Sequence, residues 1–361
     1  MSYLNSQIIT YMGNKRKLLK YIEEIIKELP HKTIAEGFSG SGIVSRLFKI
    51  YANELYVNDI AGYSKTLNEC YLSTPSQHEI EEIKKYINKA NEYVELNNDN
   101  IPSWIRKHWS PKLENIEENE RVYFTPQNAQ RIDYYRNFIL SIPKKYQSFL
   151  LAPLLVESSI HNNTNGQFSG FYKKNGKGAY GGKTGTDYKR ITKNIKLPYP
   201  IFNENKCKIQ ISQQDTNKWI ETLPEVDIVY YDPPYNKHPY SIYYFLLDII
   251  NDWDLNQEIP NTYRGQPKNW IKSDYNSKKY AEKAFEDLIS KTKAKYIIVS
   301  YNNGGIISSN KMEDILKKYG TLTIHKINHK IYNRMIGIAS YKKTIEKEKI
   351  KEFLYVLKTI S

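Results

Sequence analysis

The chain has 361 residues, 40% of them hydrophobic, enough for one large α/β domain or two smaller ones with a sizeable core, which excludes intrinsic disorder. Lys and Arg outnumber Asp and Glu by 53 to 39, a net charge of +14 that favours a polyanionic partner, although a bias towards lysine codons would also produce it. Two distant cysteines, Cys70 and Cys207, exclude a disulfide framework or thiolate metal cluster and fit a reducing cytoplasm; Lys20, Glu23 and Glu24 interrupt the first apolar run and exclude a signal peptide, and no stretch is long enough to span a bilayer.

In chain order, the first pattern lies at 16–29, where Leu18, Leu19, Ile22, Ile25, Ile26 and Leu29 recur at helical spacing, so an amphipathic helix is expected with Asn14 as its cap. Short apolar runs at 33–36, 55–57, 207–211, 227–231 and 296–300 read as strands, most of them followed by helical patterns. That alternation predicts an α/β fold, a Rossmann-like, mostly parallel sheet with helices on both faces. It breaks between about Pro75 and Asn205, longer than one sheet needs, so a smaller inserted domain, mainly helix and loop, is expected at 75–205. Residues 1–74 and 206–361 then form the sheet domain. The last forty or so residues alternate and then turn helical.

After the first strand comes "AEGFSGSGIVS", in which Gly40, Gly42 and Ser45 hold the three small-residue places of a dinucleotide-type fingerprint. Glycine permits a tight turn and close approach of a ligand, and the following helix offers its positive end. Asp59 ends the next strand, 17 positions after Gly42, near the spacing of about 20 at which an acid meets ribose hydroxyls. Together they suggest a cofactor containing adenosine.

Within the excursion, "GGKTGT" at 181–186 looks like a phosphate-binding loop, but Lys177 stands where its first glycine is needed and no strand leads into it. From Phe168 to Tyr199 there are eight basic residues, Lys173, Lys174, Lys177, Lys183, Lys189, Arg190, Lys193 and Lys196, against one acid, Asp187. Phe171, Tyr172, Tyr180 and Tyr188 are interleaved, which suits phosphate contact and base wedging as well as it suits a solvated lysine-rich loop.

The strand at 227–231 runs into "DPPY", Asp232 to Tyr235. Two prolines lack amide hydrogens, so the ladder stops on that side, and each residue before a proline is held extended. A carboxylate, free carbonyl oxygens and an aromatic ring at the carboxyl end of a strand make acceptors beside a stacking surface. That suits a flat molecule carrying an NH₂ group. Accepting both hydrogens of an exocyclic base amine, at Asp232 and at the Pro233 carbonyl, would free its lone pair for attack, with catalysis resting on alignment and electrostatics. Further on, His325 and His329 have the spacing of metal ligands, but no Glu accompanies them and the pattern around them is that of a strand, so no metal is expected.

"YMGNKRKLL" at 11–19, "FSGSG" at 38–42, "ND" at 58–59, "DPPY" at 232–235 and "VSYNN" at 299–303 resemble, in that order, the Dam-like group of DNA adenine-N6 methyltransferases. The resemblance implies S-adenosylmethionine as methyl donor, with Tyr11 and Lys15 near the donor and target pocket, Phe38, Gly40 and Gly42 shaping the donor site and Asp59 holding the ribose. It implies that Asp232, Pro233, Pro234 and Tyr235 hold a flipped adenine. Asp215 stands where the family's acid binds the donor adenine, followed here by Thr216 where an aromatic is common. Gly37 follows Glu36 where a proline is commoner, so a slightly different loop is expected. The resemblance makes 1–74 and 206–361 the donor-binding catalytic domain and 75–205 the reader of target DNA, with Lys173, Lys174, Lys177, Lys183, Lys189 and Arg190 as DNA contacts. It implies a cytoplasmic monomer acting on double-stranded DNA, with any cognate restriction endonuclease a separate chain. Cytosine N4 and RNA adenine are rival substrates for such a pocket, and a silent DNA-binding protein is a rival of another class.

Overall fold

The computed structural model describes residues 3–96, 103–113, 115–268, 270, 272–327 and 352–360. Asn14 accepts a hydrogen bond from the Arg16 amide and opens a short 3₁₀ turn, Lys15–Lys17, before helix α1, Leu19–Lys27, buries Leu19, Ile22, Ile25 and Ile26. Strand β1, Thr33–Glu36, leads through the glycine-rich turn to α2, Ile43–Tyr51; β2, Glu54–Asn58, leads to α3, Gly62–Tyr71.

The excursion follows as α4, Gln77–Leu96, α5, Ile105–Trp109, α6, Pro126–Ser141, and α7, Lys144–Ile160, then a small hairpin of β3, Lys173–Lys174, and β4, Lys177–Gly178, and α8, Tyr188–Thr192. "GGKTGT" holds only a 3₁₀ turn at Gly182–Thr184, not the strand-to-helix junction of a phosphate loop. The alternation then resumes with β5, Lys208–Ser212, α9, Thr216–Trp219, β6, Val226–Tyr231, α10, Tyr240–Asp252, α11, Ala281–Lys291, β7, Ala294–Asn302, α12, Ser309–Lys317, β8, Gly320–Ile327, and β9, Glu352–Thr359.

The main sheet orders its seven described strands β5-β2-β1-β6-β7-β9-β8. Pairings from β5 through β7 are parallel, while β9 runs antiparallel between β7 and β8. β1 pairs with β2 on one side and β6 on the other, so strand order reverses there and leaves a crevice beyond the carboxyl ends of β1 and β6. The predicted Rossmann-like sheet is present. The helical reading of the chain's end is corrected: 352–359 is a strand, because "EFLYVLKT" is buried between two neighbours, and an apolar run of that length has no period that separates strand from helix. His325 lies on β8, and His329 is outside the described residues.

One apolar core lies between one face of the sheet and α11 and α12, and another lies on the opposite face against α1 and α2. A third gathers the helices of the excursion around α3 and α10, with Leu67, Tyr71, Phe245 and Leu246 contributing from those two. The buried Lys49 ammonium donates to the carbonyls of Ser73 (2.7 Å) and Asn203 (2.9 Å), so one cation on α2 ties both crossings of the chain into and out of the excursion. Among the described residues no helix is long and apolar enough to cross a membrane.

Candidate active site

The crevice opens as a cavity of about 460 Å³, within the range of small-molecule sites. Tyr11, Lys15, Phe38, Gly40, Asp59, Asp215, Asp232 and Pro234 all line it, from sequence positions spread over more than two hundred residues. Gly42 does not: it caps α2 with φ +73°, behind the loop it shapes. Pro233 is buried, and Tyr235 stands beside the cavity with its hydroxyl against Gly13.

Each lining group is held by local geometry. Gly40 has φ +51°, and a Cβ there would come within 2.9 Å of the Tyr11 ring, so only glycine lets Tyr11 close over the loop. Gly37, where proline is commoner in the resembling family, packs so closely that a Cβ would lie 2.8 Å from Tyr231 and Thr216. The Gly40 amide donates to Asp59 Oδ2 (2.7 Å) and the Ala61 amide to Oδ1 (2.9 Å), fixing the carboxylate at the end of β2. Asp215 caps α9 by accepting from the amides of Asn217 and Lys218. Phe38 meets Tyr275 edge to face at 5.2 Å, and the Tyr275 hydroxyl donates to Asn217 Oδ1 (2.7 Å).

Asp232 follows the last residue of β6, and the buried Lys15 ammonium lies 3.0 Å from its Oδ1. Apart from that ion contact, Oδ1 is sealed from solvent and, among the described residues, has no aligned hydrogen-bond donor. Burial pushes the Asp232 carboxyl up to about 6 against the opposing pull of Lys15, so it is mainly ionised at neutral pH and acts as an acceptor. For Lys15, burial lowers the ammonium, yet Asp232 and Glu352 together hold it above its ordinary range. The Tyr235 carbonyl accepts from the Ile306 amide (3.0 Å), and the Tyr301 ring meets Tyr235 edge-on at 6.4 Å, which explains why "VSYNN" belongs with "DPPY". Among the described residues nothing donates to the Pro233 carbonyl.

Some site residues escaped sequence reasoning. Asn14 was legible only as a cap, yet it lines the cavity with a buried, unpartnered Nδ2. Glu36 ends β1 at the cavity wall, accepts from the Ser45 hydroxyl and is pushed up to about 8 by burial. Tyr240 stacks on Tyr11 at 5.2 Å, and the hydropathic break after Pro239 was its only local signal. Asp248 and Tyr275 carry none, because their places depend on how α10 and the loop after it fold back.

The basic candidates lie away from the cavity. Lys173, Lys174 and Lys177 are exposed on the β3–β4 hairpin, whose Asn175 and Gly176 have φ of 50° and 84°, the left-handed pair of a type I′ turn. Lys183 and Lys189 are exposed nearby. Arg190 is different: its guanidinium donates to the carbonyls of Asn162 (2.9 Å), Thr164 (3.1 Å) and Ile160 and pairs with Asp187, so it braces the loop that carries the lysines.

Comparison with known proteins gives the family. A family model for D12 class N6 adenine-specific DNA methyltransferase matches residues 11–315. The chain is 29% identical over 325 residues to Type II methyltransferase M.NlaIII of Neisseria lactamica, covering 86% of this chain and 89% of that one. It is 27% identical over 345 residues to Type II methyltransferase M.CviAII of Paramecium bursaria Chlorella virus 1, covering 91% and 94%. It is also 27% identical over 322 residues to modification methylase LlaI of Lactococcus lactis subsp. lactis, covering 86% of this chain but spanning only 48% of that protein. Matched to that model over most of its length, the chain, whose crevice at the sheet's reversal point is walled by Asp59 and Asp232, belongs to the D12 class N6 adenine-specific DNA methyltransferases, a family whose methyl donor is S-adenosylmethionine.

Proposed function

We propose that this chain transfers a methyl group from S-adenosylmethionine to the N6 amine of an adenine flipped out of double-stranded DNA. The single observation that carries the reading is the seat of Asp232, an ionised acceptor on the cavity wall whose buried Oδ1 meets only the Lys15 ammonium among the described residues.

The cavity residues fit the donor. Phe38 and Tyr275 offer aromatic surface to a purine, Asp59 a carboxylate to ribose hydroxyls, and the unpartnered Asn14 amide a hydrogen bond to a carboxylate. When bound, the donor supplies an electrophilic methyl group carried on a sulfonium. The protein's part is to place and polarise the amine. Asp232 accepts one of its hydrogens and the Pro233 carbonyl the other, so the nitrogen moves towards tetrahedral geometry and its lone pair turns to the methyl group. The surplus proton, strongly acidic once the new bond forms, leaves through Asp232. Extruding a base costs a few kcal/mol, and a stack on Tyr235 worth about 1–3 kcal/mol offsets much of it.

Target reading falls to the 75–205 excursion. The exposed lysines at 173, 174, 177, 183 and 189 surround a rigid two-residue turn, an arrangement suited to phosphate contacts flanking a groove-probing tip. The Type II relatives support a restriction–modification setting; within it we read the chain as a monomer and any endonuclease as a separate protein.

The test is transfer of labelled methyl from donor to duplex DNA, followed by nucleoside analysis. N6-methyl-2′-deoxyadenosine in the DNA digest is the expected product. N4-methylcytosine, or label in RNA alone, would replace the substrate assignment, and no transfer to any nucleic acid would remove the reading.

A further inference from the structure

Lys15 touches one carboxylate and feels the field of a second. Its ammonium lies 3.0 Å from Asp232 Oδ1, while Glu352 acts electrostatically on Lys15, Asp232 and Tyr235 together. Sheet register brings Glu352 there: it opens β9 opposite Asn302 at the end of β7, the strand next to the one that delivers Asp232. Glu352 Oε2 is sealed from solvent and has no hydrogen-bond partner among the described residues. An ammonium reaching that oxygen would supply the donor it lacks among the described residues.

The resting pair also conflicts with what Asp232 does in the proposed reaction, on which this inference rests. An oxygen neutralised by an ammonium is a weakened acceptor for the adenine amine. That amine gains positive charge as the new N–C bond forms, and a lysine cation held against the same carboxylate opposes it. Lys15 is suited to move, being a point charge on a flexible four-carbon stem.

We infer that Glu352 is the second seat of the Lys15 ammonium: as the adenine amine reaches Asp232, Lys15 passes to Glu352, leaving Asp232 free to accept while the cation stays neutralised within the site. Glu352 is thus a positioning residue. It touches neither base nor donor and acts through Lys15.

Single-turnover methyl transfer on duplex DNA, with donor affinity measured separately, tests this in wild type, Glu352→Gln, Lys15→Met and the double variant. Glu352→Gln is expected to bind donor as wild type does and to transfer roughly tenfold or more slowly, because Lys15 then stays on Asp232. In the Lys15→Met background the same change is expected to alter the rate less than about twofold, since there is no cation left to receive. Equal rates for wild type and Glu352→Gln, or two effects that simply multiply, overturn the inference. A crystal structure of the unaltered chain with S-adenosylhomocysteine and target duplex decides the matter even if a variant fails to fold. Lys15 Nζ bonded to Glu352 supports the transfer of seats, and Lys15 still on Asp232 overturns it. A wild type that methylates no DNA defeats the functional reading itself, whereas an active wild type with an indifferent Glu352→Gln defeats this inference alone.

Discussion

Tyr11 lies face to face with Tyr244, ring centroids 4.7 Å apart and planes 18° from parallel. The Met12 amide donates to the Tyr244 hydroxyl (2.6 Å), and α10 departs from helical geometry at Tyr244, φ −125° and ψ 16°. The N-terminal segment is therefore strapped to α10 by a stack and a hydrogen bond, and the strap forms one wall of the cavity. Tyr244→Phe keeps the stack and removes the acceptor, so it is expected to cost about 1 kcal/mol of stability and to weaken donor binding several-fold, read by thermal melting and calorimetry.

Asp232→Ala removes the proposed acceptor of the amine without touching Phe38, Asp59 or Asn14. Methyl transfer is expected to fall by at least roughly 100- to 1,000-fold while donor affinity stays within about threefold of wild type. Retained turnover would take Asp232 out of the mechanism.

Burial, opposed by Lys15, pushes Asp232 up to about 6, so the acceptor is lost on acidification. The single-turnover rate at saturating donor and limiting DNA, which reports the DNA-free enzyme with Lys15 on Asp232, is expected to be flat above neutrality and to fall as pH drops through about 6. Lys15→Met removes the opposing charge and should move that midpoint upward. A pH profile of single-turnover rates checks both.

Glu36 bears on stability instead, which falls as pH rises. Burial raises its carboxyl from 4.5 to about 8, so the folded state holds this proton more tightly than the unfolded chain does. The contribution is complete below about 4.5 and is lost as pH rises through about 8. Relative to Glu36→Gln, which keeps an acceptor for Ser45, the wild type should lose thermal stability across that window. Parallel melting curves for the two proteins would show that Glu36 is not buried as the neutral acid.

Arg190 and the hairpin lysines should separate cleanly. Arg190→Ala strips several loop carbonyls of their donor and is expected to cost roughly 2 kcal/mol, a loss of a few degrees in Tm. Lys174→Ala and Lys177→Ala should leave Tm unchanged and each lower the salt slope of DNA binding by about 1. Unchanged salt slopes for the lysine variants would move the DNA path elsewhere.

The chain's own order of residues determined a good deal. Strands at 33–36 and 227–231 and the halt at Asp232 were legible because they follow from local covalent facts: apolar runs of strand length, and prolines without amide hydrogens. Asp59 was legible with the glycine turn, 17 positions after Gly42, because a turn and the next strand's end keep a nearly constant spacing. Tertiary structure alone decided that Glu352, 337 positions after Lys15, would share its field, that Tyr275 would face Phe38, and that Arg190 would spend its charge on carbonyls. Such placements depend on strand order and on loops folding back, and neither leaves a period in the sequence. The run 352–359 marks the boundary best: its apolarity announced burial, but only the gap between β7 and β8, with two sets of backbone partners waiting, made it a strand.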